Sequence, residues 1–285
     1  MSEILQLNDG WAMPQLGLGL MRFGEEGQTA AVIGRAVDAG YRLLDTAAVY
    51  GTEQQTGDGL RQLAVPREEL FITTKLWNGD HSSGGTIPAF NDSLARLGLE
   101  YLDLYLIHWP LPMFDRYVEA WRALIELQQE GRVRSIGVSN FTEEHLERII
   151  GETGVAPAVN QVEMHPYFQQ RSLRAFHERH GIVTQAWSPI GGGWDGASDM
   201  RADPVIASIA EKHGRTPTQV ILRWHIACGV SAIPKATSTP HLVENMESFG
   251  FELDAEDMAA LTALDRDDGR LGFDPLTMDI VNLDA

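Results

Sequence analysis

The stretch LLDTAAVYG (residues 43–51) sets the reading of the whole chain. A short apolar run ends in a carboxylate, Asp45, and a phenol, Tyr50, follows five residues later. The run has the length of a buried strand, and Asp45 stands where that strand gives way to a loop. Working outward, the arrangement recurs. Residues 71–75 end in Lys75, and residues 102–108 end in His108. Residues 133–139 end in Ser139 followed by Asn140, and residues 158–163 carry Gln161 and Glu163. Residues 182–187 end in Trp187, and residues 230–234 lead into Lys235. With a short strand at 16–19, this makes eight.

Helical patterns separate the strands. Ala30, Ile33, Ala36 and Val37 have helical spacing, and Gly40 stops that helix. Further helices are expected over 54–63, 87–97 and 117–129, the last burying Trp121, Leu124 and Ile125. Thr142 begins a helix whose first turn carries Glu143 and Glu144, favourable to the helix dipole. Thr216-Pro217-Thr218-Gln219 reads as a capping box with proline at the first helical position. Before all of these, residues 4–7 and 11–13 flank Asn8-Asp9-Gly10, a tight-turn signal for a hairpin. Alternating βα units of this number and length give a (β/α)8 TIM barrel, an α/β fold, as one domain over residues 1–285. An N-terminal β-hairpin precedes the barrel and a C-terminal substrate loop follows it. The alternative is an open doubly wound sheet.

Composition narrows the function. Forty acidic residues against 22 basic ones give a net charge of −18, which argues against nucleic acid or an anionic membrane as partner. Cys228 is the only cysteine, so no intramolecular disulfide can form, which suits a reducing cytoplasm. No secretory leader pattern and no apolar run long enough to span a membrane is read. His177 and His180 sit three apart on an expected helix, but no third ligand has convincing spacing. A solvated face is the reading there, and no metal is expected.

In a barrel, all eight strand ends converge on one rim, where active sites are built. A tyrosine phenol, with a pKa of ~10, is a poor acid at neutral pH. A nearby ammonium lowers that value, and a carboxylate can hold the ammonium charged. A neutral imidazole can orient a carbonyl. Asp45, Tyr50, Lys75 and His108 thus make a proton-donating set, matched to carbonyl reduction with hydride from a cofactor. Two rivals remain: a metal-dependent barrel hydrolase, and a noncatalytic nucleotide-binding barrel acting as a regulatory subunit.

Over almost its whole length the chain resembles the aldo-keto reductases, most of all the prokaryotic branch that includes 2,5-diketo-D-gluconate reductases. The segments carrying the resemblance are GYRLLDTAAVYGTE (40–53), FITTKLWN (71–78), YLDLYLIHWP (101–110), IGVSNF (136–141), NQVEMHP (160–166), WSPIGGG (187–193) and IPKATSTPHLVEN (233–245). The resemblance implies a barrel that binds NADPH without a Rossmann domain and acts as a monomer on a small carbonyl substrate. It implies Tyr50 as general acid, Lys75 and Asp45 as its tuners, and His108 as the carbonyl-orienting residue. Ser139, Asn140 and Gln161 would hold the nicotinamide carboxamide, and Trp187, where many members have tyrosine, would stack on the ring. Gly19, Leu20 and Met21 lie on a loop near the cofactor, and Ser188, Ile190 and Gly191 on the loop beside the pyrophosphate. Lys235, Ser238 and His241 would face the 2′-phosphate, with Glu244 and Asn245 at the adenine. Trp77, Trp109 and Met21, with residues 271–278, would line the substrate mouth.

Two departures bear on the cofactor. LGLGL (16–20) is followed by Arg22 where a dinucleotide fingerprint needs a third glycine. The family's serine after the lysine is Ala236 here, and its arginine is His241, which cannot clamp a phosphate with two parallel hydrogen bonds. Either NADH becomes usable beside NADPH, or Lys235 alone supplies enough attraction. Candidate substrates are dicarbonyls, keto-sugars and keto-esters.

Overall fold

The computed structural model describes residues 3–21, 28–82, 84–192 and 199–281. A two-stranded antiparallel hairpin, β1 (Ile4–Gln6) and β2 (Ala12–Pro14), opens the chain. Eight parallel strands follow: β3 (Gly17–Gly19), β4 (Leu43–Asp45), β5 (Phe71–Leu76), β6 (Leu102–Ile107), β7 (Val133–Ser139), β8 (Val159–Glu163), β9 (Val183–Trp187) and β10 (Ser231–Ala232). They pair in sequence order. Leu16 bridges Ala232 in parallel, the Ala232 N–H donates to the Gln15 carbonyl at 2.9 Å, and the Gly19 N–H donates to the Pro234 carbonyl at 3.2 Å. These bonds join the first barrel strand to the last and exclude the open sheet.

The helices are α1 (Gln28–Asp38), α2 (Glu53–Leu60), α3 (Thr86–Leu97), α4 (Tyr117–Gln129), α5 (Glu143–Thr153), α6 (Arg171–His180), α7 (Pro204–His213), α8 (Pro217–Ala227), α9 (Thr239–Met246) and α10 (Ala255–Thr262). Helices α3, α4, α6 and α8 each lay an apolar stripe against the strands. On α4 that stripe is Val118, Trp121, Leu124 and Leu127, all buried. Helix α8 starts as its capping box requires: Gln219 N–H donates to Thr216 Oγ1 at 3.2 Å, and Thr216 N–H to Gln219 Oε1 at 3.0 Å. Helix α7 is an addition to the alternating pattern. Asp203 caps it, its side chain accepting from the Val205 N–H at 2.8 Å, and Ile206, Ile209 and Ala210 pack in one cluster with Val220, Ile221 and Trp224 of α8.

Helices α2 and α3 approach so closely that a Cβ on Gly57 would lie 2.4 Å from the Leu97 carbonyl oxygen. At the barrel floor, Leu7 and Met13 from the hairpin join Leu43, Phe71 and Val159 in one buried cluster, so the hairpin seals that end. The opposite end, where the strands finish, is open to the site.

Candidate active site

A cavity of about 510 Å³ lies at the C-terminal ends of the strands. Strand pairing explains what it collects. Asp45 is the last residue of β4, Ser139 of β7 and Trp187 of β9, while Tyr50 sits on a short 3-10 turn after β4. Asp45, Tyr50, His108, Ser139, Asn140, Gln161 and Trp187 all line it. So do Gly19, Met21, Trp77, Trp109, Ser188, Ile190, Gly191 and Lys235. Gly193, the last residue of the expected loop, lies outside the described residues, as does Arg22.

Lys75 is fully buried beneath this surface. Its Nζ donates to Asp45 Oδ1 at 2.5 Å and to the Thr46 carbonyl at 2.8 Å, and lies 5.1 Å from the centre of the Tyr50 ring. Burial works against the ammonium, but Asp45 and Tyr50 outweigh it and hold the Lys75 pKa above the ordinary lysine value. For Tyr50 the balance differs from the sequence-based expectation. Burial raises the phenol's pKa, Asp45 adds to the rise, and the lowering by Lys75 does not offset them. The free protein therefore keeps Tyr50 protonated. His108 meets Tyr50 edge-on, with ring centres 5.7 Å apart, and meets Trp77 at 5.2 Å. Burial, Lys75 and His81 depress its pKa well below the usual histidine value, so the imidazole is neutral.

Asn140 adopts a left-handed backbone (φ 63°), uncommon for a residue with a side chain. The turn aims its amide across the rim. Asn140 Nδ2 donates to the His108 carbonyl at 3.0 Å and to Ser139 Oγ at 3.1 Å, and Oδ1 accepts from Trp187 Nε1 at 2.9 Å. Gln161 Nε2 donates to Asp45 Oδ2 at 2.8 Å and to Gln185 Oε1 at 2.7 Å. One hydrogen-bonded chain thus runs from Lys75 through Asp45 to Gln161. Two side-chain amides and a hydroxyl beside an indole are a donor set that fits a nicotinamide carboxamide and ring.

The remaining expected residues lie apart from the cavity lining. Leu20 is buried in the hydrophobic core. Ser238 caps α9, its hydroxyl oxygen accepting from the His241 N–H at 3.4 Å, and His241 is exposed. Glu244 Oε1 accepts from the Thr216 hydroxyl at 2.6 Å and borders a shallow groove of about 560 Å³ with Thr239, Pro240 and Val243. Asn245 is buried. Phe273 and Met278, within the expected 271–278 stretch, also line the cavity, and so do Val49, Ile233 and Ile280, which were not singled out in the sequence. Apolar residues on irregular loops carry no periodic signal to find them by.

His177 is not on a solvated face. It is buried, with Nε2 bonded to the Asn160 amide at 3.0 Å and Nδ1 to the Thr184 hydroxyl at 2.8 Å, while His180 stacks on Phe176 at 4.1 Å. Three-residue spacing identifies a shared face but not which way it points. Among the described residues, no group of three or more His, Cys, Asp or Glu could hold a metal ion. No helix among them is long and apolar enough to cross a membrane.

Residues 15–266 match the model of the Aldo/keto reductase family. The chain belongs to that family and is an oxidoreductase whose chemistry is carbonyl reduction. It is 47% identical over 277 residues to an aldo-keto reductase of Mycolicibacterium smegmatis, covering 97% of this chain and 98% of that one. It is 47% identical over 272 residues to methylglyoxal reductase DkgA of Escherichia coli strain K12, covering 95% and 96%. Among solved structures, a Gox0644 mutant in complex with NADPH superposes with a TM-score of 0.92 at 48% identity, covering 98% of this chain and all of that one.

Proposed function

We propose that this chain reduces small aldehydes and ketones to alcohols with NADPH, as a single-domain enzyme. The observation that carries the reading is the gathering of Tyr50, buried Lys75–Asp45 and neutral His108 at one cavity that also holds Ser139, Asn140, Gln161 and Trp187. The NADPH-bound Gox0644 structure and the methylglyoxal reductase relative support it. Ser139, Asn140 and Gln161 hold the nicotinamide carboxamide and Trp187 packs on the ring. Gly19, Met21, Ser188, Ile190 and Gly191 pass beside the cofactor, and Lys235, Ser238, His241, Glu244 and Asn245 face its adenosine end. NADPH, when bound, supplies the hydride that no side chain can give.

The protein supplies the rest. His108 donates a hydrogen bond that orients the substrate carbonyl. Tyr50 passes its phenolic proton to the carbonyl oxygen as charge develops there. The phenolate left behind is stabilised by Lys75, whose charge Asp45 and the Thr46 carbonyl hold in place. Trp77 and Trp109 flank the substituent. At the 2′-phosphate, Lys235 remains while Ala236 brings no hydroxyl and His241 no guanidinium, so NADH is a usable second cofactor.

Loss of reduced-nicotinamide absorbance tests this, with NADPH and NADH in parallel against methylglyoxal, a keto-ester and a diketo-sugar acid. Turnover of at least one carbonyl is expected, with NADPH the better cofactor. Cofactor binding without turnover on any of them would instead favour the noncatalytic barrel.

A further inference from the structure

The cavity wall farthest along the chain is built by a segment that the barrel itself does not include. Residues 271–280 cross the rim and contribute Gly272, Phe273, Met278 and Ile280 to the lining. Phe273 meets Trp109 edge-on at 6.3 Å, and Met278 shares a cluster with Trp109, Trp77 and Ile280. Both ends of this segment are tied to the barrel by buried polar side chains.

At one end, Glu163 at the tip of β8 receives the Leu271 N–H on Oε1 at 2.5 Å and the Gly272 N–H on Oε2 at 2.8 Å. Its carboxylate is buried and is fixed from behind by His165 Nε2 at 3.0 Å. At the other end, Asn78, buried after β5, donates from Nδ2 to the Ile280 carbonyl at 2.7 Å. Between them the segment folds on itself, with the Met278 N–H donating to the Asp274 carbonyl at 2.9 Å and the Leu276 N–H to Asp274 Oδ1 at 3.0 Å. The first tie also fixes depth: a Cβ on Gly272 would lie 2.5 Å from Trp187 Cη2 and 2.9 Å from Glu163 Oε2.

We propose that Glu163 and Asn78 are positioning residues for specificity. By clamping residues 271–280 at both ends they hold Phe273, Met278 and Ile280 as a preformed apolar wall, which favours carbonyls bearing a flat aryl substituent over the same carbonyl bearing a methyl group. This rests on the reductase reading above. Neither residue touches the reacting atoms. A wall held in place makes its contacts with an aryl group without first being ordered. A methyl substituent is too small to span to it and gains nothing from the clamp.

The test compares phenylglyoxal with methylglyoxal, both reduced with NADPH, in the wild type, E163Q and N78A. E163Q keeps side-chain volume but replaces one acceptor with an amide NH2 that cannot receive a backbone N–H. In the wild type, kcat/KM for phenylglyoxal should exceed that for methylglyoxal about tenfold, the scale of one well-filled apolar subsite. Each variant should shrink that ratio toward unity through a higher KM for phenylglyoxal, leaving methylglyoxal kcat and NADPH affinity unchanged. A wild-type ratio near unity, or variants that slow both substrates equally, would overturn the assignment. A wild type that turns over neither of these nor the keto-ester and the diketo-sugar acid would sink the reductase reading itself.

Discussion

At Tyr50 the protein resolves a conflict between burial and charge in favour of the neutral phenol. A reductase needs that form, because the proton must be present before it can be given. The acid form of Tyr50 is lost only as pH rises through its raised pKa, and the neutral form of His108 only as pH falls well below the usual histidine value. The rate of carbonyl reduction should therefore show no titration between pH ~6 and ~9. An inflection near ~6.5 in kcat would assign a protonated His108 and unseat its orienting role. Tyr50→Phe should lower kcat by roughly 10²–10⁴-fold, the range for loss of a positioned acid, with NADPH affinity nearly unchanged. His241→Arg should raise NADPH affinity about tenfold and leave NADH alone, since only the former carries a 2′-phosphate for a guanidinium to clamp; equal binding before and after would show that residue 241 faces elsewhere. Asp45, Tyr50, Lys75 and His108 were legible in the sequence because each is a polar group ending or following an apolar run. Glu163 was visible only as a strand-end carboxylate. Its partners are backbone N–H groups 108 and 109 residues further along, and no side-chain pattern announces them.

Among the secondary elements, α4 and β7 match their expected bounds because patterning and punctuation agree: an apolar face ending before Gly131, then a run buried except at Arg134. Helix α7 was missed, although Asp203 followed by Pro204 is a cap with proline at the first position. Two consecutive helices break the alternation that an α/β barrel leads one to expect. Closure of the sheet was expected from the count of eight βα units; the 16–232 bridge that completes it is a property of all eight strands and of no single segment. The contact between α2 and α3 gives an element-level expectation. At Gly57→Ala, the new methyl would meet the Leu97 backbone, which cannot rotate away. Separating the two helices should cost about 1–3 kcal/mol, read as a lower midpoint in urea with unchanged slope. An unaltered midpoint would mean that α2 can slide outward freely.

For the molecule as a whole, buried imidazoles set the acid limit. Burial lowers His177 and His225 to about 3 and His81 to about 4, while an unfolded histidine titrates near ~6.5. Above ~6.5 both states are neutral and the contribution to stability is complete. As pH falls below that, the unfolded chain takes up protons that the folded chain refuses, at about 1.4 kcal/mol per group per pH unit. Scanning calorimetry should find Tm level above pH ~6.5 and falling steeply between pH ~6.5 and ~4; a flat Tm across that lower window would mean that these rings accept protons within the fold. The hairpin at the barrel floor has its own consequence. Leu7 and Met13 close over a barrel interior already filled by Leu43, Leu104, Leu106 and Val159, so the site opens at one end only. Guests share one doorway, so the one bound deepest is first in and last out.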